Sequence, residues 1–418
     1  MDPSQSLDQG MDVLIEDGVV AAIGERVDVS SDTEVFDAAG LVVAPGFIDL
    51  HAHLREPGYE YKETIASGCR AAVAGGFTAL CAMPDTLPVN DDPAVTGHIL
   101  DKAEEVGLAR VYPVGALSKG LEGQEMAEIG ELAAAGAVAV TDNPNSIDNA
   151  LLVRRAMEYA LGFGIPVAVH AEDVNLSDGG SMHEGTVSTR IGLRGAPATA
   201  EDVMVARDTL IAELTGGRLH LCHLSTSTAL DLVRMAKQRR LDVSCEVAAQ
   251  HFVQTDEDEA GANYDPNWKT SPPLRPAADV EAVLQAIYDG TVDAIVSDHE
   301  PHHADEKEHD FVVAPFGIVG LETAVPLALD RLVRARVIGL SQLVRLMSTG
   351  PAEIYGLPGG TLKEGSQADL TVLDLQALKV VEPESFRSKS RNTPFGGMRL
   401  KGWPAATIVG GEIVWKAS

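Results

Sequence analysis

Cysteines, aromatic residues and basic residues are all scarce in this chain of 418 amino acids. The four cysteines, Cys69, Cys81, Cys222 and Cys245, form no C-x-x-C pair, and three of them lie in apolar, strand-like runs. That usage argues against a disulfide scaffold or a zinc knuckle and fits buried thiols in a reducing compartment. No stretch approaches the ~20 apolar residues needed to span a bilayer. The N-terminus lacks a basic region followed by an apolar run, so no secretory leader is expected and the cytoplasm is the expected location. Lys+Arg total 32 against Asp+Glu 62, a formal charge of −30. Such a field repels nucleic acid and anionic membrane surfaces and argues against both as partners. It also opposes an anionic substrate unless a cation is placed locally. Read most simply, it is a solvated acidic surface of the kind a salt-adapted cytoplasm favours.

Hydrophobic residues make up 45% and charged residues 22%, an ordinary globular balance. The length suits a large catalytic domain plus a smaller one. Near the start, residues 12–15 and 19–23 read as strands around the turn Glu16-Asp17-Gly18. Near the end, residues 370–373 form one apolar run, and residues 407–409 and 413–415 flank Gly410-Gly411. Neither end can build a core alone, so the two are expected to join in one small β-sandwich domain, assigned to residues 1–45 and 351–418.

Residues 46–350 alternate between β and α patterning. Strands are expected at 47–53, 77–83, 111–116, 137–141, 167–170, 219–223, 243–247 and 294–297. Between them run amphipathic helices, such as the face Leu152, Val153, Ala156, Met157 and Ala160 stopped by Gly162 and Gly164. Eight such units fit a closed (β/α)8 barrel, so the fold class is α/β. A doubly wound open sheet is the competing topology, but no G-x-G-x-x-G follows the first strand. Two long non-periodic segments, 174–198 and 253–276, follow strands and are candidates to cover a substrate.

Residues that bind metals sit where these strands end: His51 and His53 on the first, Asp142 and Asn143 after the fourth, His170 after the fifth, His223 after the sixth, Asp298 and His299 after the eighth. Each alone is as well explained by a core or surface residue. Together they mark one mouth of a barrel, where such enzymes place their chemistry. An i, i+2 pair on a strand shares a face, so His51 and His53 can address one ion. Imidazole with carboxylate suits Zn²⁺, with Mn²⁺ or Co²⁺ as alternatives. With Asp298 as proton carrier, the set is equipped for hydrolysis of an amide or cyclic amide.

The segments Gly46-Phe-Ile-Asp-Leu-His-Ala-His-Leu-Arg-Glu-Pro-Gly58, Gly75-Gly-Phe-Thr78, Ser271-Pro-Pro-Leu-Arg275, Ser297-Asp-His-Glu-Pro-His302, Ala314-Pro-Phe-Gly-Ile-Val-Gly-Leu-Glu-Thr323 and Asn392-Thr-Pro-Phe395 resemble the class I dihydroorotases of the amidohydrolase superfamily over nearly the whole chain. The resemblance implies a zinc-dependent barrel that interconverts dihydroorotate and N-carbamoyl-L-aspartate in pyrimidine synthesis. It implies His51, His53, His170, His223 and Asp298 as metal ligands, Asn143 at the metal-bridging position, and Asp298 also as catalytic base. Arg55, His302 and the Phe316-Gly317 backbone match substrate contacts, as do the positions of Asp85 and Ser271. A small-molecule substrate, a homo-oligomer and association with aspartate transcarbamoylase follow as expected partners. The family also has about one more strand ahead of Asp2, so Met1 is expected to be a misplaced start or the edge strand to be missing.

Four positions depart from the family pattern. Asp142-Asn143 stands for two aspartates, so one or two ions are expected, the second depending on whether the neutral Asn143 can bridge. Asp85 and Ser271 each stand for an asparagine that contacts substrate, and Asp85 would repel a substrate carboxylate unless Arg55 screens it. Ala249-Gln250-His251 stands for proline-histidine followed by histidine or tyrosine. Three readings follow: an active dihydroorotase, a weakly active or non-catalytic homologue that organises the transcarbamoylase, or a hydrolase of hydantoins, allantoin or dihydropyrimidines. The last group typically bridges its metals with a lysine after the fourth strand, and residues 137–149 contain none.

Overall fold

In the computed structural model, which describes residues 1–417, the first turn follows from two backbone angles. Asp17 and Gly18 take φ of 51° and 75°, the left-handed pair that a two-residue hairpin turn requires. They join β1 (Asp12–Glu16) to β2 (Val19–Gly24). After β3 (Val42–Pro45) the chain enters the barrel with β4 (Phe47–Ala52) and β5 (Phe77–Ala82). The third barrel strand is broken at Val114 into β6 (Arg110–Pro113) and β7 (Gly115–Ala116). Next come β8 (Val140–Thr141) and β9 (Val167–Val169), then a short pair outside the barrel, β10 (Met182–His183) and β11 (Gly195–Ala196). β12 (Leu219–Leu221), β13 (Val243–Ala248) and β14 (Ala294–Val296) complete the barrel.

All eight barrel strands are parallel, in two hydrogen-bonded runs, β4-β5-β6 and β7-β8-β9-β12-β13-β14. The runs meet where the Val114 N–H donates to the Ala82 carbonyl at 2.9 Å and Gly115 N–H to Ala139 at 3.0 Å. The other seam closes at His299. Its carbonyl accepts from the His53 N–H at 2.9 Å, and its own N–H donates to the His51 carbonyl at 3.3 Å. The fold is therefore the closed barrel rather than the open sheet. The fourth strand is shorter than its apolar run, with only Val140 and Thr141 paired.

The crossover helices follow sequence signals. Asn149 caps Ala150–Ala160 by accepting from Leu151 and Leu152, and the buried face is Leu152, Val153, Ala156, Met157 and Ala160, as the periodicity requires. Gly75 accounts for part of the Gly75-Gly-Phe-Thr78 motif, since a Cβ there would sit 1.9 Å from the Leu321 carbonyl oxygen. The two segments read as non-periodic are not structureless. Residues 174–198 hold helices Val174–Ser177 and Thr186–Ile191, and residues 253–276 hold Asp256–Gly261. Their local hydrogen bonds come from Asx and Thr caps, which leave no long apolar period to read. No helix of the described residues is long and apolar enough to cross a membrane.

Both chain ends contribute to one antiparallel sheet, ordered β17 (Glu412–Lys416), β16 (Arg399–Val409), β15 (Leu370–Val380) and β3. The β1–β2 hairpin forms a second, smaller layer, with Val13, Ile15, Val20 and Ile23 packing with Leu370, Val372, Ala406 and Ile408. Thr371, fully buried on β15, ties this sheet to the barrel. Its hydroxyl accepts from the Phe47 N–H at 2.9 Å and donates to the Gly76 carbonyl at 2.7 Å. A Thr371→Val substitution keeps the shape and orphans both groups, at about 1–3 kcal/mol each. We expect a loss of about 2–6 kcal/mol in urea unfolding monitored by circular dichroism; a midpoint equal to that of the parent chain would show that the bridge contributes nothing.

Candidate metal centre

His51 is the penultimate residue of β4, and His53 directly follows the strand on the closing seam. Asn143 lies just beyond β8, His170 directly after β9, His223 two residues after β12, and Asp298 two residues after β14. All six are buried at one mouth of the barrel. The His51 and His223 rings are 4.8 Å apart, His170 and His223 5.0 Å, and His51 and His53 5.6 Å. His51 Nε2 lies 3.8 Å from Asp298 Oδ1. Ligand atoms of His51, His223 and Asp298 all fall within 4.8 Å of one another. His170 Nδ1 faces His223 Nε2 at 3.3 Å, and Asn143 Nδ2 lies 3.2 Å from the same nitrogen.

The backbone is strained at this mouth. Arg55, His223 and Asp298 take φ of 62°, 32° and 50°, left-handed values that cost a non-glycine residue about 1–3 kcal/mol each. The barrel holds these conformations because they aim side chains from parallel strands at a common point.

Three of the four histidines are each oriented by a carboxylate. Glu246 Oε1 meets His51 Nδ1 at 2.8 Å, Asp85 Oδ1 meets His53 Nδ1 at 2.7 Å, and Glu172 Oε2 meets His170 Nε2 at 3.1 Å. Such contacts fix ring orientation and turn the opposite nitrogen toward a metal. Burial works to neutralise these carboxylates, but their partners prevail. Hydrogen bonds from His220 and His51 hold Glu246 down at about 2, and the bond to His170 holds Glu172 at about 2. The charges of His53 and Arg55 lower Asp85. His51 feels burial against its charged form, yet Cys222 and Glu246 raise its pKa well above the ordinary imidazole value. The field that favours a proton on His51 equally favours a metal cation against its free nitrogen. His223 is pushed well below the ordinary value by burial and by its neighbours His51 and His170, which leaves it neutral and able to ligate.

Whether these residues suit a metal is decided by the groups left over. His51 Nε2, His223 Nδ1 and Asn143 Oδ1 are buried and have no hydrogen-bond partner. Two bare imidazole nitrogens and an amide oxygen beside a carboxylate make a costly arrangement on their own and a donor set for a divalent cation. Asp142, the alternative bridging carboxylate, is committed elsewhere. It accepts from the Ser118 N–H at 2.7 Å and from the Ser118 hydroxyl.

Of the residues matched to substrate contacts, Arg55 and His302 lie in a buried group with Asp85 and Glu300. Arg55 Nη1 donates to Asp85, Nη2 donates to Glu300 Oε1 at 3.2 Å, and Nε donates to the Pro301 carbonyl at 3.3 Å. His302 Nε2 is 3.7 Å from Glu300 Oε1. Gly317 abuts this group, since a Cβ on it would meet Glu300 Oε2 at 2.3 Å. Its N–H and carbonyl are used internally, by Lys269 at 2.9 Å and Asn392 at 3.1 Å. The neighbouring Phe316 ring carries the Lys269 ammonium 4.3 Å from its centre. Ser271, half-buried, makes no side-chain hydrogen bond to the cluster among the described residues.

Sequence reasoning missed Glu246, Glu172 and Glu300, and singled out Gln250 only as a departure from the family pattern. Gln250 Nε2 donates to Asp298 Oδ2 at 2.6 Å, which leaves Oδ1 toward His51. Glu246 had a readable signal, a lone charge inside the apolar strand Val243–Ala248. Gln250 stood out within Ala249-Gln250-His251, but its partner, 48 residues away, could not be read.

A (β/α)8 barrel with imidazoles and an aspartate at its strand ends defines a metal-dependent hydrolase of the amidohydrolase type. Residues 40–229 match the protein family described as dihydro-orotase-like, and residues 309–415 match the amidohydrolase family. The chain is 52% identical over 414 residues to the dihydroorotase of Anaeromyxobacter dehalogenans (strain 2CP-C), covering 99% of this chain and 95% of that one. It is 50% identical over 416 residues to the dihydroorotase of Geobacter metallireducens, covering 100% and 97%. It belongs to the dihydroorotase family. Among solved structures, the L-hydantoinase (dihydropyrimidinase) of Arthrobacter aurescens superposes with a TM-score of 0.85 at 27% identity, covering 97% of this chain and 92% of that one.

A Glu246→Gln substitution should loosen His51 and weaken affinity for a divalent metal by about 10–100-fold with the fold intact. Competition with a chromophoric chelator measures this; undiminished affinity would reduce Glu246 to a packing role.

Proposed function

We propose that the chain catalyses the reversible opening of dihydroorotate to N-carbamoyl-L-aspartate, with one zinc ion held at the barrel mouth. The observation that carries the chemistry is the convergence of His51, His223 and Asp298 with two unpartnered imidazole nitrogens. The relatives named as dihydroorotases, at about half identity over the full chain, support the substrate.

In this reading His51, His53, His170, His223 and Asp298 hold the metal, assisted by the Asn143 amide oxygen. When bound, the cation polarises the ring carbonyl and acidifies water. Asp298 is placed to move the proton. Gln250 holds Oδ2 at 2.6 Å, so Oδ1 takes the proton from the attacking water. As the ring C–N bond breaks and the new C–O bond forms, Asp298 returns that proton to the leaving nitrogen. Burial raises the Asp298 pKa from its ordinary value, and a bound cation would oppose that rise. Arg55, held by Asp85 and Glu300, is the cation that a substrate carboxylate would have to share, and His302 flanks it, while Ser271, Phe316 and Gly317 border the ring. A single ion accords with the neutral Asn143 and with the engagement of Asp142 by Ser118. The reading extends to a cytoplasmic homo-oligomer able to dock an aspartate transcarbamoylase, which size-exclusion chromatography with and without the transcarbamoylase examines.

Purified protein should contain zinc, open dihydroorotate, lose turnover to a chelator and regain it with zinc. Asp298→Asn should lower kcat by at least about 100-fold. Protein that retains metal yet never opens this ring would sink the reading. Asn143→Asp should raise metal content and rate together; a rise in neither would show that the amide is no impediment.

A further inference from the structure

The proposed reaction asks the site to admit a carboxylate-bearing ring, and the cation nearest the metal cluster is Arg55. Its guanidinium is 6% exposed and donates through all three of its nitrogens to the protein itself. Two of the acceptors, Asp85 and Glu300, are carboxylates, only 10% and 16% exposed. One guanidinium charge is therefore shared between two carboxylates. The same Asp85 also spends its other oxygen on His53, which anchors it to the barrel rather than leaving it free to swing away. Glu300 packs against Gly317, where an added Cβ would lie 2.3 Å from its Oε2. A guanidinium owes much of its hold on a carboxylate to paired, parallel N–H donors and net charge. Both are already taken here.

We infer that Asp85, with Glu300 as its partner, is a specificity-determining residue that occupies Arg55 in place of a substrate carboxylate, so that the site discriminates only weakly between cyclic ureides with and without a ring carboxylate. This rests on the dihydroorotase reading and deepens it. A dihydroorotate molecule must share or displace the internal pair, whereas a neutral ring such as dihydrouracil or hydantoin meets no such competition. Asp85 is thus a positioning residue: it sets the charge and the free donors of Arg55 without taking part in bond making.

The test is equilibrium binding to the zinc-loaded protein by calorimetry, with orotate and uracil as a pair differing by the carboxylate. In Asp85→Asn, orotate should bind at least about tenfold more tightly and uracil within about twofold of the parent. Glu300→Gln leaves the His53 contact untouched and should shift orotate in the same direction by a smaller factor; it serves if Asp85→Asn fails to fold or loses its metal. Orotate binding that is unchanged or weaker in both variants, or equal shifts for both ligands, overturns the inference. Dihydroorotate turnover by the parent chain is measured alongside. If turnover is absent while orotate tightens as stated, the catalytic reading fails and the role of Asp85 stands; normal turnover with no change in the orotate-to-uracil ratio reverses that outcome.

Discussion

Two backbone hydrogen bonds at the barrel seam, from the His53 N–H to the His299 carbonyl and from the His299 N–H to the His51 carbonyl, bring the first and last barrel strands side by side. Without that closure the His-x-His pair and Asp298 would lie at opposite edges of an open sheet. With it, an imidazole from residue 51 and a carboxylate from residue 298 come within 3.8 Å. The remaining ligand positions then arrive by repetition, since each parallel strand delivers its C-terminal end to the same mouth. The small domain reinforces the seam at a distance, because Thr371 and Thr407 bond to the chain around the starts of β4 and β5.

A second constraint is the handling of charge. The chain as a whole carries −30, and its interior keeps to the same sign, with Glu246, Glu172 and Asp85 ionised against buried histidines. Buried charge is costly unless paired and hydrogen-bonded, and each of these carboxylates is. The arrangement leaves a mouth predisposed to a cation and correspondingly ill-disposed to an anion. Asn143 brings no charge to the histidine cluster, while Asp85 brings one to Arg55.

How much of this was legible in the sequence depends on the range of each interaction. The eight barrel strands, the buried face of Ala150–Ala160 and the histidines at the strand ends could be read because periodicity and strand-end position are local properties. The short helices in 174–198 and 253–276 escaped because Asp and Thr caps leave no apolar period. Glu246 could have been noticed as a charge in an apolar strand. Gln250 stood out as a departure from the family pattern, but nothing nearby in the chain indicates that it meets Asp298, or that Glu300 meets Arg55.

By itself the sequence determined which residue types stand at the strand ends, and hence the metal-hydrolase chemistry and the barrel that displays it, because both depend on alternation and spacing along the chain. Only the tertiary structure decided which of those side chains are free to act. It withdrew Asp142 to Ser118, gave Asp85 to Arg55 and His53, and left His51 Nε2 and His223 Nδ1 bare. Those assignments are contests between partners distant in sequence, settled by burial and hydrogen-bond geometry that exist only once the barrel has closed.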